Sequence, residues 1–241
     1  QLGAHRDDCI PGLARLAAAL HRTDTHAVLQ LDHAGLLAHR RINGVGPIGP
    51  SSPPWVDPAI TRVREMTEPD LEAAIASFGQ AARRALEAGF DAVQLRAGQG
   101  YLVHQFLSPR INRRTDGWGG ELANRCRFLV GCLRAMADTT YGELPLWVQL
   151  TVDEGLAEGA LSAEDAVETA RFARDAGAAV IELAAGTAER IETVLRPVAG
   201  RETEAYSAWK VRPFRDLEGL HLLATGGIRS PEIIDVLLQG K

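Results

Sequence analysis

No apolar stretch in this sequence approaches the roughly 18 residues that a membrane helix requires, and no basic-then-apolar leader opens it. Cysteine is scarce. Cys9, Cys126 and Cys132 are the three, without CxxC spacing, which argues against a disulfide framework or a zinc site and for a reducing compartment. A cytoplasmic protein, with no membrane partner and no bound metal, is therefore expected. Basic charge is not in excess either: 26 Lys and Arg against 31 Asp and Glu leave a net charge of −5, where a nucleic-acid surface would carry a basic face. GxGxxG is missing, and with it the usual sign of a nucleotide site after the first strand of a doubly wound sheet. No internal repeat, linker or low-complexity segment divides the 241 residues, which at 46% hydrophobic and 24% charged suit one domain.

What is present is alternation between short apolar runs and helical periodicity, the pattern of repeated βα units and a parallel sheet. Ile10, Leu13, Leu16, Ala17 and Leu20 predict a helix, and residues 27–31 a strand. A Gly/Pro-rich excursion, 43–58, follows. Thr67 and Asp70 form a capping box for a helix that runs to about Ala88, where Gly89 stops it. Residues 92–96 predict the second strand, 121–137 a helix, 146–151 the third strand, and 162–176 a helix capped by Ser162 and Asp165 and ended by Gly177. Strands at 179–183 and 220–224 follow, then a Thr-Gly-Gly-Ile turn and a helix with Ser230 as N-cap and Pro231 at its first position. The strands read as apolar and unalternating, as in a parallel sheet covered on both faces. An eight-stranded TIM (β/α)8 barrel fits better than a doubly wound sheet. Only five strands are present, so the start and end of that single domain, here 1–241, are expected to lie outside the sequence.

Chemistry concentrates in residues 100–120, GYLVHQFLSPRINRRTDGWGG, directly after the second strand, where α/β enzymes keep their functional groups. The stretch 90–128 around it, with HQFLSP, NRRTD, GG and NR in order, resembles the fourth strand and loop of the old yellow enzyme family of flavin oxidoreductases. AVLQLDHAG at 27–35 resembles the family's third-strand motif, 146–159 its fifth strand, and ATGGIRS at 224–230 its seventh-strand phosphate turn. On this resemblance strands one, two and eight are the absent ones. It implies FMN at the C-terminal strand ends, with NADPH or NADH as hydride source and an activated alkene, an enoate or a dienoyl-CoA for example, as small-molecule acceptor. Gln30 would bond the flavin's pyrimidine edge, Gly226 and Gly227 would admit its phosphate beside the following helix N-terminus, and Tyr101 would be the catalytic proton donor. The family draws the rest of the phosphate site from its eighth strand.

The departures matter as much as the matches. Leu36 stands where the family has Arg. Arg96 and Gln99 replace the usual pair of donors that grip the substrate's oxygens, and Arg96 adds a fixed charge suited to an anionic substrate. Gln149 replaces the Arg that faces the flavin's N1 and C2 carbonyl; it can donate but cannot neutralise the reduced ring. The gain at 96 and loss at 149 suggest that one charge replaces the other. The resemblance leaves two readings: an ene-reductase-like enzyme with a rebuilt substrate grip, or a redox-inactive, flavin-free barrel serving as a binding or scaffold protein. Either could form a homo-oligomer. Elsewhere, His33 is expected to orient the turn after its strand and His104 to pack within the loop. Arg113, Arg114 and Asp116 form an expected salt-bridged clamp, and Asp153, Glu154 and Glu158 an expected solvated loop.

Overall fold

The computed structural model describes residues 2–53, 62–156, 159–188, 190–206 and 208–239. The end of the Gly/Pro-rich excursion at Pro58, and Glu158, lie outside them. Five parallel strands form one sheet in chain order: β1 (Val28–Leu31), β2 (Ala92–Ala97), β3 (Leu146–Thr151), β4 (Ala178–Ala184) and β5 (His221–Ala224). Helices α1 (Ile10–His21), α2 (Glu68–Glu87), α4 (Arg127–Thr139), α5 (Ala163–Asp175) and α6 (Pro231–Leu238) alternate with them, and a short helix, α3 (Leu102–Leu107), starts the loop after β2.

The two faces of the sheet differ. Val93, Leu95, Val148, Leu150 and Ile181 are fully buried on the outer face under the helices, each stabilising the fold by about 1.5–3 kcal/mol. The register pairs Gln30 with Gln94, and Arg96 with Gln149 and then Glu182, so these polar residues share the inner face. The expectation of unalternating strands is therefore corrected. Val-Gln-Leu-Arg in β2 has a period of two, apolar toward the helices and polar toward the barrel axis.

Two glycines let α2 and α4 approach closely. A Cβ on Gly79 would lie 2.8 Å from the Ala135 carbonyl oxygen, and one on Gly131 would lie 2.9 Å from Ile75 Cδ1. Thr139 closes the contact by donating its hydroxyl to the Gly79 carbonyl at 2.7 Å. The helix expected over 121–137 is instead two segments, Leu122–Arg125 and α4, joined at Cys126. There Arg125 turns away to donate to the Gly120 carbonyl at 3.0 Å and to Asp165 of α5 at 2.6 Å. α3 ties the loop to this framework, because Phe106 stacks on Phe128 of α4 with centroids 4.5 Å apart.

Candidate active site at the strand ends

A row of side chains crosses four strands on the inner face. Gln30 Nε2 donates to Gln94 Oε1 at 2.7 Å, Gln94 Nε2 to Glu182 Oε2 at 2.7 Å, and Gln149 Nε2 to Glu182 Oε1 at 2.9 Å. Gln94 and Gln149 are buried while Gln30 is exposed. Two atoms in this region are buried with no hydrogen-bond partner: Gln149 Oε1, an acceptor, and Arg96 Nε, a donor. Such atoms in folded interiors usually meet a protein group, an ordered water or a ligand, and a heteroaromatic edge bearing both donors and acceptors would suit them.

Above the row, Arg96 dominates. Its Nη2 donates to Gln99 Oε1 at 2.5 Å, its Nη1 lies 3.6 Å from Asp32, and its guanidinium carbon sits 3.8 Å from the centre of the Tyr101 ring. Because guanidinium only donates, Gln99 must turn its oxygen to Arg96 and keep its Nε2 for another acceptor. Gln99 holds a left-handed φ of 57°, which is strained for a residue with a side chain. Its backbone N–H bonds Thr151 Oγ1 at 2.7 Å and its carbonyl accepts from Ala188 at 3.0 Å, so neighbours on both sides fix it. With Gly100 at φ 86°, these two residues reverse the chain and place Tyr101 directly before α3.

The same turn is pinned from below. The Gly100 N–H donates to His104 Nδ1 at 3.0 Å and Gln105 donates to the Gly100 carbonyl at 2.6 Å. His104 Nε2 then lies 3.2 Å from Glu154 Oε1, both side chains essentially fully buried and the contact out of line for a hydrogen bond. Burial pushes the Glu154 carboxyl up, but His104, Ser108 and Arg110 together hold it below its ordinary value. Glu154 is expected in solvent and His104 as mere packing; instead they meet in a buried polar contact under the Tyr101 turn. His33 behaves as expected, accepting from the Gly35 N–H at 3.0 Å, and burial lowers its pKa despite Asp32. The clamp forms between Arg114 and Asp116 at 2.5 Å, with Arg114 also reaching the Met66 carbonyl at 2.8 Å. Arg113 stands apart from it, its side chain meeting the Arg110 carbonyl at 3.4 Å.

At the end of β5, Gly226 and Gly227 have φ of 119° and 69°, conformations that require glycine. A Cβ on Gly227 would also strike Val198 at 2.6 Å and Tyr206 at 2.7 Å. Donors of Arg229 and Ser230, just beyond the turn, already hold an anion: the Glu204 carboxylate accepts from Arg229 N at 3.0 Å, Ser230 N at 2.8 Å and Ser230 Oγ at 2.6 Å. Donors that satisfy a carboxylate also suit a phosphate, so the turn fits the group expected there, with Glu204 as its internal competitor. A cavity of about 640 Å³ lies elsewhere, along the outer edge of β1 between α1 and α2. It meets this site at Gln30, Asp32 and Arg96.

The sequence matches the NADH:flavin oxidoreductase / NADH oxidase family over residues 1–240. The chain belongs to that family. It is 30% identical to an NADH oxidase of Thermoanaerobacter brockii over 243 residues, covering 100% of this chain and 37% of that protein. It is 31% identical to an NADPH dehydrogenase of Bacillus cytotoxicus, covering 94% and 61%. The chain thus spans about a third to three-fifths of these relatives. Among solved structures, a 2-naphthoyl-CoA reductase in complex with 2-naphthoyl-CoA superposes with a TM-score of 0.85 at 25% identity, over 100% of this chain and 38% of that one. An old yellow enzyme homologue from Zymomonas mobilis gives 0.75 at 21%, over 99% and 66%, and shows the shared barrel fold.

Within this family framework, Arg96, Gln99 and Tyr101 form one cluster, Gln30 and Gln149 belong to one inner row, and Gly226 and Gly227 form a separate turn at the end of β5. Sequence reasoning missed Gln94 and Glu182, which join Gln30 to Gln149, and Glu204 beside the Gly226–Gly227 turn. The period of two in β2 and β4 was the signal for the first pair. Glu204 lies on an irregular segment with no local signature. Among the described residues, no three His, Cys, Asp or Glu side chains cluster to hold a metal, and no helix is long and apolar enough to cross a membrane.

Proposed function

We propose that the chain forms the flavin site of an NAD(P)H-dependent FMN oxidoreductase that reduces an activated alkene carrying an anionic or thioester group. The observation that carries this reading is the inner-face row that joins Gln30 to Gln149, with Gln149 Oε1 left without a partner in the chain. FMN, when bound, supplies hydride chemistry; the protein binds, orients and handles protons. Gln30 and Gln149 would hold the pyrimidine edge, and the turn at Gly226 and Gly227 would hold the phosphate once Glu204 yields. Gln99 Nε2 and Arg96 would hold the substrate's oxygens, and Tyr101 would deliver a proton from its phenol oxygen. Arg96 over the Tyr101 ring fixes where that phenol points. An acyl-CoA substrate suits the Arg96 charge and accords with the 2-naphthoyl-CoA reductase likeness.

Glu204 supports a second reading, a flavin-free barrel, because the phosphate donors are already satisfied from within the chain. Purified full-length protein decides between them. A yellow protein, or one that takes up added FMN and bleaches with NADPH or NADH under anaerobic conditions, supports the enzyme. A colourless protein that binds no FMN supports the binding or scaffold role.

A further inference from the structure

Glu182 has no part in the flavin reading above, yet it sits at the centre of the inner row. Each of its carboxylate oxygens takes one amide N–H, from Gln94 and from Gln149. A carboxylate accepts and does not donate, so both amides must turn their nitrogen toward it. The oxygen-or-nitrogen ambiguity that usually attends a glutamine is thereby settled by chemistry. Gln94 passes the polarity on, its oxygen accepting from Gln30. The atom left buried and bare is an acceptor, Gln149 Oε1.

The charge balance points the same way. Both partners of Glu182 are neutral amides, which solvate its charge without cancelling it. The register places Arg96 on the same face beside Gln149, but its outer nitrogens turn to Gln99 and Asp32 at the rim. His221 shares the face on β5 and is exposed, and Tyr101 lies beyond Arg96. The inner row therefore offers a negative charge and an acceptor without a partner in the chain. A ligand that gained negative charge there would be opposed at short range in a partly desolvated site.

We infer that Glu182 is a positioning residue that orients Gln149 as an acceptor and couples flavin reduction to uptake of a second proton. This rests on the flavin reading. The balance is FMN + NAD(P)H + H⁺ → FMNH₂ + NAD(P)⁺: the hydride carries two electrons and one proton, and the other proton comes from water. Free in water, reduced flavin gives up that second proton near neutral pH. In this site it is retained into the alkaline range.

The test is the pH dependence of the two-electron midpoint potential of the full-length, FMN-loaded protein at alkaline pH. Wild type is expected to show two protons per two electrons. Glu182→Gln is expected to halve the slope to one, because a neutral amide removes the charge and lets Gln149 reorient. Gln149→Arg, which keeps Glu182 and sets a cation beside it, is expected to halve it as well. A wild-type slope of one proton, or an unchanged slope in variants that still bind FMN, overturns the inference and leaves the flavin reading standing. Failure of wild type to bind FMN overturns both.

Discussion

Replacing His104 with Ala isolates the buried contact beneath the Tyr101 turn. His104 is fully buried and Glu154 is 2% exposed, so removing the imidazole strands a carboxylate away from water. It also takes the acceptor from the Gly100 N–H. Leaving a buried polar group without its partner costs about 1–3 kcal/mol, which in a chain of this size lowers the melting temperature by roughly 2–12 °C. The sign of the pH dependence follows from Glu154. Its folded-state pKa lies below its ordinary value of 4.5, so its stabilising contribution is complete above that pH and is lost as pH falls through the folded value. In the variant, burial is opposed by Ser108 and Arg110 without His104, so the carboxyl shifts toward its neutral form. The deficit of His104→Ala should therefore be largest near neutrality and shrink on acidification, as read by thermal melts followed by circular dichroism. A deficit below about 1 kcal/mol at neutral pH, or one that widens as pH falls, would refute this account of the pair.

Three further outcomes follow. Gly79→Ala sets a methyl 2.8 Å from the Ala135 carbonyl, so despite better helix propensity the variant should lose about 1–3 kcal/mol in urea unfolding; equal or greater stability would mean that α2 and α4 slide apart freely. Glu204→Ala frees the Arg229 and Ser230 amides and should tighten FMN binding by roughly threefold to tenfold in equilibrium titration, and weaker binding would show that Glu204 supports the turn instead. Burial raises the Cys126 thiol to about 11 and pushes Cys132 well above its ordinary value. In the folded protein at pH 8 a thiol reagent should therefore modify Cys9 alone, with all three reacting in denaturant.

The strands and most helices were legible because their signals are local. Pro231 and Ser230 start a helix whatever surrounds them, and Leu95, Val148 and Ile181 mark strands by composition alone. The inner row was partly legible: Gln30 and Gln149 stand out by resemblance, whereas Gln94 and Glu182 matter through the cross-strand register that joins them. That register depends on four chain segments up to 152 residues apart in sequence. α3 was hidden inside a loop because six residues are too few for helical periodicity to declare itself, and what holds it is tertiary, the Phe106–Phe128 stack. The burial of Glu154 was hidden for the same reason. An acidic residue after a strand reads as solvated until its partner, 50 residues earlier, is placed beneath it.

The paired changes at 96 and 149 admit two electrostatic accounts, and the structure separates them. If Arg96 replaces the charge absent at Gln149, its guanidinium must act on the inner row, and register adjacency permits this. Its outer nitrogens, however, go to Gln99 and Asp32, and its flat face covers Tyr101, so the cation belongs to the rim while Glu182 leaves the floor negative. Under the proposed function, the rim would grip an anionic substrate through Arg96 and Gln99, and the floor would resist charge on the ring. Arg96→Ala distinguishes the two accounts in one protein. Loss of a charged hydrogen bond to substrate, about 1.5–3 kcal/mol, should lower kcat/KM for an anionic alkene by roughly tenfold to 150-fold. The proton count of flavin reduction should stay at two, because the negative floor is untouched. A change from one proton in wild type to two in Arg96→Ala would instead place the Arg96 charge against the ring and restore the compensation account.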